Sequence, residues 1–67
     1  MSAKPEDLKY AKEGGMYGLL YVKRTDGDEI LPIFVYDRKD FNFICKGYKG
    51  DTHYNVVDEV IISRFSF

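Results

Sequence analysis

The chain has 67 residues, a formal net charge of −1 from 10 Lys plus Arg against 11 Asp plus Glu, one cysteine and no tryptophan. This length allows a single domain. The lone cysteine excludes an internal disulfide and a cysteine-rich zinc site, and no run approaches the roughly 18 apolar residues of a membrane span.

A near-neutral charge argues against binding through bulk positive potential. No basic stretch followed by an apolar one opens the chain, so no signal peptide is expected and the reading is cytoplasmic, in a bacterial or virus-infected cell. A domain of this size buries only about 60% of its unfolded surface and is marginally stable alone. Yet 45% of the residues are hydrophobic and 16% aromatic, with six Tyr and five Phe, which is too apolar for disorder. Self-association is the staple that remains.

Residues 1–15 read as a tail and a short helix. Pro5 suits the first helical position, Glu6 and Asp7 sit near the positive end of the helix dipole, and Leu8 and Ala11 make a narrow apolar stripe. Gly14 and Gly15 stop it. From Met16 the period changes to two. Met16–Lys23 reads as a first strand, Thr25–Asp28 as a turn with positive φ at Gly27, and Glu29–Tyr36 as a second strand buried on both faces, with a bend at Pro32. Asp37–Asp40 reads as a polar loop and Phe41–Tyr48 as a third strand. Lys49–Asp51 turns the chain into a fourth strand, Thr52–Val57. Asp58-Glu59 is a very short connection to a fifth, Val60–Phe67.

The expected fold is therefore mainly β: a short N-terminal helix followed by a five-stranded, strongly bent antiparallel sheet or small barrel over residues 16–67, all within one domain. Val60, Ile61, Ile62, Phe65 and Phe67 make the last strand too apolar for a free edge. Edge-to-edge association is expected there, against barrel closure within one chain.

Cys45 and His53 are the only thiol and imidazole. A regular hairpin at Lys49–Asp51 would set Cys45 opposite Asn55 with His53 diagonal to it. An oxyanion hole and an enclosed pocket are hard to supply in 67 residues, so a core cysteine and a half-exposed histidine are the readings preferred over an enzyme. Asp26, Asp28 and Glu29 lack calcium-loop spacing and read as a solvated turn; no metal and no cofactor are expected. Tyr36–Asn42 sets an aromatic and an amide, Phe41 and Asn42, beside two cations, Arg38 and Lys39. Single-stranded RNA is read by such sets, with bases stacked on rings and phosphates held by cations. The alternative is an ordinary charged loop with Phe41 turned inward.

The order of one helix and five strands, with Asp26-Gly27 opening the second strand, resembles the Sm and Sm-like (Hfq-type) RNA-binding family. Tyr36-Asp37 with Phe41-Asn42 resembles the family's first motif. Tyr54-Asn55-Val56 followed by Val60-Ile61-Ile62-Ser63-Arg64 resembles the second. Pro32 stands where the family has a mid-strand glycine, and Asn55 where it has a basic residue. The resemblance implies a homo-oligomeric ring of five to seven subunits, joined through the fourth and fifth strands, that binds single-stranded RNA or DNA in RNA processing or regulation. Phe41 would stack, Asn42 would support it, Arg38 and Lys39 would steer phosphates, and Tyr54 and Asn55 would form a second nucleic-acid loop. The competing expectation is an SH3-like or WYL-like barrel that acts as a protein-interaction or inhibitor module.

Overall fold

The structure is a computed structural model, described here for residues 4–65. Its elements in chain order are α1 (Pro5–Glu13), β1 (Gly18–Arg24), β2 (Ile30–Val35), α2 (Arg38–Lys49) and β3 (Tyr54–Ile61), closed by a 3-10 turn over Ile62–Arg64. The three strands form one open sheet in the order β2-β1-β3, with both pairings antiparallel. β2 and β3 therefore run parallel to each other, and α2 is the crossover that a parallel pair requires.

The N-terminal helix forms as its residues predict. Pro5 lies in its first turn with Glu6 and Asp7, and Gly14 caps its end. Gly15, with φ of 71°, makes the left-handed turn into β1; among the described residues it is the glycine with positive φ, and Gly27 is not. The hairpin joining β1 to β2 is held instead by Gly27 N–H donating to the Arg24 carbonyl at 3.2 Å and by Lys23 Nζ donating to the Gly27 carbonyl at 3.0 Å.

Successive β1 side chains point to opposite faces, and both faces are covered. Leu19 and Tyr21 pack with Ala11 of α1, Val60 and Ile62. Leu20 packs with Val35 and with Phe41 and Cys45 of α2. The architecture is helix, sheet, helix, with β1 at its centre and buried from Gly18 to Val22.

This replaces the expected five-stranded bent sheet. Phe41–Tyr48, read as a third strand, lies within α2. Asp37 is not loop but N-cap: its Oδ1 accepts from Asp40 N–H at 2.8 Å. Phe41, Ile44, Cys45 and Tyr48, at helical spacing, turn toward the sheet. The expected fourth and fifth strands are one strand, β3. Asp58 and Glu59 do not connect two strands; they pair with Tyr21 and Leu20 in the β1 register, and a bulge opposite Tyr21/Val22 takes up the irregularity. The ring contact expected between a fourth and a fifth strand therefore has no pair of strands to form it. Residues 66 and 67, assigned to the fifth strand, lie outside the described residues. Pro32 is in β2, an edge strand, where proline is tolerated. Among the described residues no helix is long and apolar enough to cross a membrane.

Candidate functional site

Gly18 begins β1 where the ring of Phe41 crosses it. An added Cβ would lie 2.6 Å from Phe41 Cδ2 and Cε2 and 3.0 Å from the Val60 carbonyl oxygen. Because Gly18 leaves that space, Phe41 sinks against the sheet and is only 4% exposed. Its ring meets Tyr17 edge to face, with centroids 5.6 Å apart. These two rings make the floor of a cleft of about 710 Å³ between the start of α2 and the end of β3.

Three elements build the walls. Arg38 and Asn42, one turn apart on α2, form one side, and Glu59 and Ile61 of β3 form another. Ser63 and Arg64 come from the 3-10 turn. That turn is placed by Ile62, whose side chain is buried in the α1-side core and whose N–H donates to the Tyr17 carbonyl at 3.0 Å. With Ile62 anchored inward, Ser63 and Arg64 stay exposed at the cleft.

The charges in the cleft are unequal. Glu59 Oε2 pairs with Lys49 Nζ at 2.8 Å, and the Lys49 hydrogen bond, working against partial burial, holds the carboxyl below its ordinary range. A second ion pair, Arg24–Asp26 at 2.9 Å, lies at the far end of the sheet. Arg38 and Arg64 take part in neither. Among the described residues, two arginines outside these ion pairs thus face a cleft whose lining carboxylate, Glu59, is paired with Lys49.

Of the residues singled out from sequence, Arg38, Phe41 and Asn42 line this cleft. Phe41 is not an exposed stacking residue at the tip of two strands but part of the core. Lys39 lies exposed on the solvent side of α2, outside the cleft lining. Tyr54 and Asn55 open β3, seven and six residues from Ile61, about 20–24 Å along a strand. The Tyr54 ring sits against Tyr48, centroids 5.4 Å apart, and under the Arg24 guanidinium at 5.7 Å. The six residues therefore do not form one site.

Tyr17, Ser63 and Arg64 were not assigned to a site from sequence. From the sequence Arg64 reads as the one charge that interrupts the apolar last strand and as the end of the second motif. Its position across from Arg38 depends on β3 continuing through Ile61, which the local pattern did not show.

The Cys45, His53 and Asn55 set is dispersed. Cys45 faces the sheet from α2, His53 precedes β3, and Asn55 pairs with Lys23 in register. Burial pushes the Cys45 thiol up, and the neighbouring Glu59 carboxylate adds to the shift. A neutral buried thiol is a poor nucleophile. Among the described residues no group of three or more His, Cys, Asp or Glu is placed to hold a metal ion.

Compared with protein families, curated proteins and solved structures, the chain matches none.

Proposed function

We propose that this domain binds single-stranded nucleic acid through the cleft between α2 and β3. The observation that carries the reading is the pair of arginines, Arg38 and Arg64, which belong to no ion pair among the described residues and share one cleft. Guanidinium groups match phosphate oxygens in a fork geometry. The Asn42 amide offers a donor and an acceptor to a base edge. Tyr17, half-buried and edge to face with Phe41, lines the cleft and offers the ring on which a base would stack. Phe41 supports it from below. The −1 net charge then confines binding to a short backbone segment rather than a long electrostatic track.

The test is a fluorescence-anisotropy titration of short U-rich and A-rich RNA, and of the matching DNA, at two salt concentrations. Binding that weakens with salt and falls on Arg38→Ala plus Arg64→Ala supports the reading. No binding at low salt, or binding unchanged in the double variant, removes it.

A further inference from the structure

The solvent side of α2 carries two residues that its own fold does not explain. Phe43 is 78% exposed, the most exposed large hydrophobic side chain described. Gly47, one turn later, lies inside the helix, where glycine is unfavourable relative to alanine. Its φ is not positive, and nothing lies within 4 Å of the position its Cβ would take. Neither backbone geometry nor packing within the chain calls for glycine there.

The two anomalies are adjacent. Phe43 stands between two hollows, of about 450 and 380 Å³, and Gly47 lines both. The first is walled by Ile33, Ile44 and Tyr48, the second by Lys46 and Gly50. The surface is a knob with a notch beside it, one helical turn apart.

We propose that α2 pairs with α2 of a second copy of this chain, antiparallel about a two-fold axis, with Phe43 of each copy seated over Gly47 of the other. Such an isologous contact is closed and self-complementary. The bare backbone at Gly47 lets the helices approach, since the axial separation follows from the side chains at the crossing. The same register sets Lys39 of each copy near Asp51 of the other, which lies two residues past the end of α2 and lines the first hollow with Phe43 and Gly47, giving two charge pairs by symmetry. A parallel pairing would instead set Phe43 on Phe43 and like ends together.

The sheet edges favour the helix face as the surface for association. Pro32 blunts β2, and the bulge with Asp58 and Glu59 blunts β3; these features oppose strand-to-strand pairing. The contact is one helix wide, below the roughly 1,200 Å² of a standard interface, so the dimer is a weak one. The pairing does not depend on the nucleic-acid reading, because Phe43 and Gly47 lie outside the cleft lining.

Sedimentation equilibrium of the intact chain from about 1 μM to about 1 mM tests this. The expected result is a shift from the 7.8 kDa monomer to a dimer within that range. Phe43→Ala and Gly47→Ala each raise the dissociation constant about tenfold or more. Lys39→Asp weakens the dimer, and adding Asp51→Lys restores it. Gly47→Ala keeps the variant folded, with a higher thermal midpoint, so loss of the dimer cannot be put down to unfolding. A wild-type chain that stays monomeric throughout, an assembly larger than a dimer, or a Gly47→Ala variant that dimerises like the wild type overturns the proposal.

Discussion

The hydroxyl of Tyr21 donates to Asp7 Oδ2 at 2.9 Å and accepts from the Lys4 backbone N–H at 3.1 Å. One side chain from the central strand thus satisfies the N-cap residue of α1, which has no side-chain cap of its own. The first four N–H groups of a helix need such partners. A helix of 9 residues is too short to be stable in isolation, so this contact, with Leu8 and Ala11 packed below it, fixes where α1 lies.

Replacing Tyr21 by Phe keeps the ring in the core and removes both hydrogen bonds. The Asp7 carboxylate and the Lys4 N–H then lose a partner at a half-buried site. A loss of about 1–2 kcal/mol is expected, read in thermal unfolding as about 4–8 °C for each kcal/mol in a domain of this size. Asp7→Asn in the same assay should cost less, because an amide still accepts from the hydroxyl.

Gly18→Ala places a Cβ 2.6 Å from two carbons of the Phe41 ring. The ring is buried between Tyr17 and the sheet, so it cannot swing away without moving α2. The cost is that of overpacking a core, about 1–3 kcal/mol, measured as a lower urea midpoint with unchanged slope. Since Phe41 also lines the cleft, the proposed nucleic-acid binding should weaken in Gly18→Ala by more than the stability loss alone explains.

The N-terminal helix and the β1–β2 hairpin were legible because their signals are local. Pro5, Glu6, Asp7 and Gly15 act within one turn of themselves, and Leu19, Leu20, Tyr21 and Val22 are apolar whichever face they take. The third strand was misread because Phe41, Phe43, Ile44 and Tyr48 are strand-favouring residues, and Gly47 is a poor helix residue. Tertiary burial of Phe41 and Cys45, with the Asp37 cap, overrides those preferences. The spacing of Phe41, Ile44, Cys45 and Tyr48 was the helical signal present in the sequence. Asp58-Glu59 read as a break because two adjacent acids rarely sit inside a strand. Here each has a local reason: Glu59 pairs with Lys49, and Asp58 lies close enough to Tyr21 for its charge to raise the phenol's pKa. Arg38 and Asn42 line the cleft, but from the first turns of α2 and not from the loop expected for them. Their partner Arg64 depends on a long-range placement that no local pattern records.

Stability should fall on both sides of neutrality, for different residues. Glu59 is held below its ordinary value of 4.5 by the Lys49 hydrogen bond. Its contribution is present above that value and disappears as pH falls through the lower folded one. Asp26, held down by Arg24, acts on the same side. Tyr21 is raised above 10.0, first by burial and then by Asp7 and Asp58, with Lys4 N–H opposing. Its contribution is present below that value and is lost as pH rises through the folded one. Lys49, raised by Glu59, shares the alkaline side. In urea midpoints measured against pH, Glu59→Gln flattens the acid fall and Tyr21→Phe the alkaline one. A Glu59→Gln midpoint equal to wild type at neutral pH, with the same fall toward acid, would show that the pair with Lys49 adds nothing to folding.

The two cleft arginines make a quantitative prediction for salt. Each phosphate contact on a single strand contributes about 0.7 to the slope of log affinity against log salt. Loss of both Arg38 and Arg64 should lower the magnitude of that slope by about 1.4. The comparison pair is Lys39→Ala plus Lys46→Ala, which removes the same charge from the solvent side of α2. Nucleic acid tracking the cleft leaves that second variant close to wild type; nonspecific attraction to any lysine or arginine lowers both equally.

Gly47 gives the domain a stability prediction of opposite sign to most substitutions. The backbone there is helical, the space above it is empty, and the neighbouring side chains do not approach. Alanine should therefore recover the helix-propensity difference, about 0.8–1.0 kcal/mol, in dilute solution where the chain is monomeric. Gly50, at the end of the same helix, is a control. Its N–H donates to the Lys46 carbonyl as the C-cap, and an added Cβ would meet that oxygen at 3.6 Å, so alanine there gains less. If the two substitutions stabilise equally, the unfavourable glycine at 47 is a general feature of this helix. If Gly47→Ala alone stabilises the monomer while weakening self-association, the residue has been kept against folding stability, and the contact across α2 is the reason.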